Sequence, residues 1–193
     1  MNYLITLLLL FYSCFFFSQS DHVFLLDRWT TSGLPLTSDG ESVFNEVWGF
    51  VQSGKEYAVL GSTKGTHIFQ VSDDDSLILV DFVQGKYSGT QAVHRDYHDH
   101  NGYLYAVCDE NASSLQIMDL RYLPDSVSVV YDDSSLIIKC HNIFIDSVTS
   151  RMYACGVTNS IGLLPMSIYD ISDPVQPVYE SDYTFVSYVH DAY

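Results

Sequence analysis

Five residues of one short stretch, His94, Asp96, His98, Asp99 and His100, form the densest group of metal-ligating side chains in the sequence. Imidazole and carboxylate together suit zinc, manganese or iron. Other positions join them by spacing. Glu46 and His94 each stand eleven residues before a tyrosine (Tyr57 and Tyr105), His141 stands twelve before Tyr153, and His190, followed by Asp191, comes 49 residues after His141. Side chains that recur once per structural repeat can meet around an axis although they are far apart in the chain. His94, Asp96, His98, His100, His141 and His190 are therefore the candidate ligands of a divalent metal. His98 and His100 stand out among them because they occur in one repeat only. A structural reading competes with this one: a histidine repeated once per unit also serves to hydrogen-bond a neighbouring strand, since buried polar groups need partners.

The remaining chemistry-bearing residues are plainer. Asp73-Asp74-Asp75 and Asp132-Asp133 lack the Asp-x-Asp-x-Asp-Gly spacing that wraps calcium, and they read as solvated turn acids between third and fourth strands or between repeats. Asp119 and Asp170 are expected to bond turn amides. Most of the 15 Tyr and 11 Phe recur at core-facing positions, whereas Trp48 has no counterpart in later repeats and is the candidate ligand-binding aromatic. There is no Gly-x-Ser-x-Gly elbow, phosphate-cradling glycine loop, Cys-x-x-Cys pair or His-Glu-x-x-His pattern. No catalytic residue and no cofactor beyond the divalent metal are indicated.

Short strands must position these groups. Tyr57-Ala58-Val59-Leu60-Gly61, Tyr105-Ala106-Val107-Cys108-Asp109 and Tyr153-Ala154-Cys155-Gly156-Val157 are one motif repeated at intervals of 48 residues. A polar turn precedes each copy, and an apolar or aromatic segment precedes the turn, which is the pattern of a hairpin. A third strand follows at Ile68, Ile117 and Ile168, and a fourth at Leu77, Val127 and Pro177. Four short strands per unit is the recipe of a propeller blade. The fold class is all-β: about three four-stranded antiparallel blades plus the start of a fourth, in an incomplete ring. The repeats fall at about 43–89, 90–136, 137–185 and 186–193, after a lead-in segment at 21–42. No sustained helical period occurs after residue 20. Three blades and part of a fourth do not close a ring and leave edge strands bare, so the chain reads as the N-terminal portion of a longer protein.

The ends and the composition bound the class. Residues 3–17 are an apolar run broken only by Thr6 and Ser13, and Ser18-Gln19-Ser20 supplies small residues after it. That run is short for a bilayer span, and residues 1–20 read as a signal peptide, although no Lys or Arg precedes the run. The formal charge of −16, with eight basic residues in all, repels phosphate backbones and excludes nucleic acid and anionic membrane surfaces as partners. Cys108, Cys140 and Cys155 are too sparse for a disulfide framework and read as buried thiols. Cys140 and Cys155 nevertheless fall on neighbouring strands of one hairpin.

Several of these segments resemble the LVIVD-repeat proteins of bacterial cell surfaces and, within them, the choice-of-anchor B family. They are Asn45-Glu46-Val47-Trp48-Gly49-Phe50, Cys140-His141-Asn142-Ile143-Phe144-Ile145-Asp146, the Asp-x-Ser-Asp-Pro-x-x-Pro run from Asp170 to Pro177, and Val189-His190-Asp191-Ala192. The resemblance covers nearly the whole chain from about residue 43 and implies an exported propeller, attached or released through a C-terminal signal. It brings no established enzymatic activity. Glu46 in place of His, and Gln70 in place of Asp119 and Asp170, depart from the pattern.

Two functions follow as expectations. The first is a secreted or cell-surface propeller that binds an extracellular protein or a glycan without catalysis. The alternative is a metal-dependent hydrolase or lyase with His and Asp ligands at the propeller channel.

Overall fold

The hairpin at Asn101-Gly102 shows how the sequence builds each unit. Asn101 (φ 50°) and Gly102 (φ 78°) both occupy the left-handed region, as a two-residue turn with right-handed strand twist requires. Ser53 (φ 53°) and Gly54 (φ 76°) do the same one repeat earlier. The structure, a computed structural model, describes residues 23–193. The expected signal peptide over 1–20 lies outside the described residues.

Twelve strands follow in chain order. They are β1 (Phe44–Gln52), β2 (Lys55–Ser62), β3 (Gly65–Val71), β4 (Leu77–Gln84), β5 (Arg95–His100), β6 (Tyr103–Cys108), β7 (Leu115–Asp119), β8 (Ser128–Asp133), β9 (Asn142–Asp146), β10 (Arg151–Asn159), β11 (Gly162–Asp170) and β12 (Val178–Tyr183). They form three four-stranded sheets, β1-β2-β3-β4, β5-β6-β7-β8 and β9-β10-β11-β12, each antiparallel throughout. No helix occurs among the described residues. Register repeats from sheet to sheet. Tyr57 stands opposite Phe50, Tyr105 opposite His98 and Tyr153 opposite Phe144. The pairing of third and fourth strands slips once in every sheet, at Ile68/Phe69, Ile117/Met118 and Ile168/Tyr169, and each irregularity adds local twist.

Alternation along β6 explains how the sheets stack. Leu104 and Ala106 join a core with Val59 and Ile68 of the first sheet, while Tyr105 and Val107 join a second core with Ile143, Met152 and Ala154 of the third. Every residue of β6 and β7 is therefore buried, whereas β12 lies at an outer edge and is mostly exposed. Each fully buried Leu or Ile in these layers contributes about 1.5–3 kcal/mol by removal from water. Neighbour-to-neighbour burial is what makes such arrays stable. The lead-in segment lies over the first sheet, with the Trp29 ring 5.8 Å from Phe44, 4.9 Å from Phe69 and 5.0 Å from His67.

Two local expectations change. Asp132 and Asp133 are residues of β8, not turn acids: Asp132 accepts from Ser114 Oγ at 2.6 Å and from Gln116 Nε2 at 3.2 Å. Residues 186–193 form no strand ladder. A first strand of a blade finds its ladder in the second strand of the same blade, and no such partner stands beside this segment among the described residues.

Candidate functional site

The first strands adjoin one another, β1 beside β5 and β5 beside β9, and so form the inner wall of the array. Asp96 fastens that wall. Its Oδ2 accepts the backbone N–H of Ile143 at 2.6 Å, and one unit later Asn142 Oδ1 accepts the N–H of Ala192 at 3.3 Å. Burial pushes the Asp96 carboxyl up to about 6, the bond from Ile143 opposes that shift, and the nearby Glu46 adds to it. The chain approaches itself closely at the same junctions. A Cβ on Gly61 would lie 2.2 Å from Asn45 Oδ1 and 3.0 Å from Tyr97 Oη, and a Cβ on Gly156 would lie 2.5 Å from Tyr188 Oη.

At the beginning of the first strands the histidine ladder becomes a physical row. The ring of His94 lies 5.7 Å from that of His141, which lies 4.0 Å from that of His190. Each ring has a carboxylate at Nδ1. His94 donates to Glu110 at 2.7 Å, His141 to Asp109 at 2.8 Å, and His190 to Asp191 at 2.6 Å. Glu110 also accepts the backbone N–H groups of Val93 and His94, both at 3.0 Å. Donor atoms converge within 4.8 Å of one another in two groups among the described residues, His141 with His190 and Asp191, and His94 with Asp109 and Glu110.

Asp96, His98 and His100 belong to neither group, so the donors assemble otherwise than the sequence reading expects. His98 sits further along β5, its ring 4.7 Å from Trp48 and edge-on to Phe144 at 5.8 Å. Trp48 Nε1 donates to Asp99 Oδ1 at 2.9 Å, which fixes the indole while its ring stays half-buried. His100 is buried. Its Nε2 accepts from Asn101 Nδ2 at 2.9 Å and lies 3.1 Å from Ser150 Oγ, and burial lowers its proton affinity. The histidines confined to one repeat thus pack against neighbouring side chains, while those shared between repeats gather with carboxylates.

Asp109 and Glu110 were not singled out by sequence. The signal was present: four and five residues past the repeat tyrosine, the other units carry Gly61 and Ser62, or Val157 and Thr158. Acids at those two positions mark the second unit as different. Among the described residues Cys108, Cys140 and Cys155 are free and buried, and the Cys140 Sγ lies 3.2 Å from the Cys155 carbonyl oxygen. Burial pushes the Cys155 thiol up to about 11, which removes it from ordinary thiolate chemistry.

Tandem four-stranded antiparallel sheets joined through their first strands define part of a β-propeller. The same architecture is found in the crystal structure of a putative 6-phosphogluconolactonase from Bacteroides fragilis, with a TM-score of 0.54 and 18% sequence identity. The match covers 77% of this chain and 40% of that one, and it concerns the fold alone. No protein-family model and no curated protein sequence matches the chain.

Proposed function

We propose that this chain is part of an exported propeller of the LVIVD-repeat type, within the choice-of-anchor B family, and that it works as a binding module at or beyond the cell surface. The leader-like residues 1–20, the charge of −16 and the Asp-x-Ser-Asp-Pro-x-x-Pro run support export and kinship. The carrying observation is the row Trp48, His98 and Phe144, three rings from three successive first strands at 4.7 and 5.8 Å. Flat rings with a fixed polar tip suit the apolar face of a sugar or the side chains of an extracellular protein. Nucleic acid is no partner of so acidic a surface.

The alternative, a metal-dependent hydrolase or lyase, draws on one specific observation, the convergence of His141, His190 and Asp191 donor atoms within 4.8 Å. Arrayed glycans and extracellular proteins probed with the full-length protein separate the readings. A retained ligand whose binding is lost in Trp48→Ala and Phe144→Ala supports the binding module. Absence of any ligand, or a ligand indifferent to both substitutions, rejects it.

A further inference from the structure

The geometry points to a divalent transition-metal site, of the kind that takes zinc, formed by His141, His190 and Asp191, with Asp109 as the residue that positions His141. It deepens the binding-module reading by adding an ion to the same inner wall, yet its test needs no macromolecular partner, so the two can fail separately.

Three observations carry it. First, the donor atoms of His141, His190 and Asp191 all lie within 4.8 Å of one another, and the two rings are 4.0 Å apart at 65°. Donors around one ion at the usual zinc distances of about 2.0–2.2 Å sit closer together than this, so side-chain rotation draws them in, and His190 and Asp191 are exposed enough to rotate. Second, the donors are already disposed for ligation. His190 Nδ1 lies 2.6 Å from Asp191 Oδ2, so an ion takes the place of the proton those two atoms share, and His141 Nδ1 donates to Asp109 Oδ2 at 2.8 Å. A neutral ring that gives its Nδ1 proton to a carboxylate keeps the lone pair on Nε2, the atom that binds metal. Third, the site is negative without a cation to balance it. Among the described residues, Asp109, Glu110 and Asp191 pair only with histidines and with no Lys or Arg. An ion of charge +2 relieves that imbalance, and the exposed side chains of His190 and Asp191, at 66% and 56%, leave it a path from solvent.

Two imidazoles and one carboxylate leave coordination positions for water or for a ligand group, as in open zinc sites. His94, 5.7 Å from His141, stands next to those positions with Glu110.

The test is titration of the chelator-stripped full-length protein with Zn(II) by calorimetry and with Co(II) by visible absorption. One equivalent is expected to bind, with the intense d–d bands of a low-coordinate Co(II) site. His141→Ala and His190→Ala should each weaken binding at least about 100-fold, and Asp109→Asn about 10-fold, the range expected when an orienting partner is lost. Asp73→Asn, which removes a surface acid elsewhere, should bind as the parent does. Circular dichroism and melting of every variant separate lost ligation from lost folding. His190 is exposed, so its variant tests the site even if His141→Ala does not fold. Non-saturable binding in the parent protein, or His190→Ala binding as tightly as Asp73→Asn, overturns the inference.

Discussion

The Nδ1 of His141 lies 2.8 Å from Oδ2 of Asp109, although Asp109 follows β6 and His141 precedes β9, strands of different sheets. That contact joins the second and third units where the imidazoles of His94, His141 and His190 gather. Asp109→Asn is expected to keep the fold and to lose about tenfold in zinc affinity, and Asp109→Ala up to about 100-fold. Calorimetry read together with thermal melting checks it. A loss of stability with affinity unchanged would make Asp109 a purely structural link.

His67 predicts an acid limb of stability. It is buried beside Trp29, Phe69 and Phe82, its Nε2 is 3.0 Å from Ser62 Oγ, and burial pulls its proton affinity down to about 4. The unfolded chain then binds a proton near pH 6.5 that the folded chain refuses until about pH 4. Stability is whole above pH 6.5 and falls as pH drops toward 4, by about 2 kcal/mol after allowing for solvent screening. Denaturant melts between pH 4 and 7.5 should show this slope in the parent protein and a flatter one in His67→Phe.

Gly61 and Gly49 make a controlled pair. Gly61→Ala forces a Cβ to within 2.2 Å of Asn45 Oδ1, whereas a Cβ at Gly49 meets its nearest atom, the Tyr57 carbonyl oxygen, at 3.9 Å. Urea unfolding should report a loss of about 2–3 kcal/mol for Gly61→Ala and less than about 1 kcal/mol for Gly49→Ala. Equal effects would mean that Gly61 is not enclosed by Asn45 of its own sheet and Tyr97 of the next as described.

The cysteines predict a simple chemical result. Cys108, Cys140 and Cys155 are free and buried, so all three should resist alkylation in the native protein at pH 8 and react fully in denaturant without reductant. A disulfide between Cys140 and Cys155 would instead leave two of them unreactive until reduced.

Repetition made the fold legible. Tyr57, Tyr105 and Tyr153 share a period, and the structure gives each the same place in a second strand, opposite a ring of the first. The ladder His94, His141 and His190 was legible for the same reason, since near-equal spacing along a tandem array becomes adjacency across it. Asp109 and Glu110 escaped because their role depends on the break in the pattern, not on the pattern. His98 and His100 misled in the opposite way. Ligand-type residues at every second position share one face of a strand but spread along it at about 3.3 Å per residue, so His98 and His100 lie about 13 and 20 Å along the chain from His94 and cannot reach the same ion. Residues 186–193 were legible by motif, yet a ladder needs a partner strand that the sequence of one segment does not reveal.

Successive repeats carry their histidines to one spot on the inner wall. Anomalous diffraction at the zinc absorption edge, from crystals of the full-length protein grown with one equivalent of zinc, tests it most directly. One peak is expected between His141 and His190, bounded by Asp191, with His94 as the next ring along. Rings of His94, His141 and His190 lying in separate surroundings, or zinc bound only at unrelated surface acids, would contradict it.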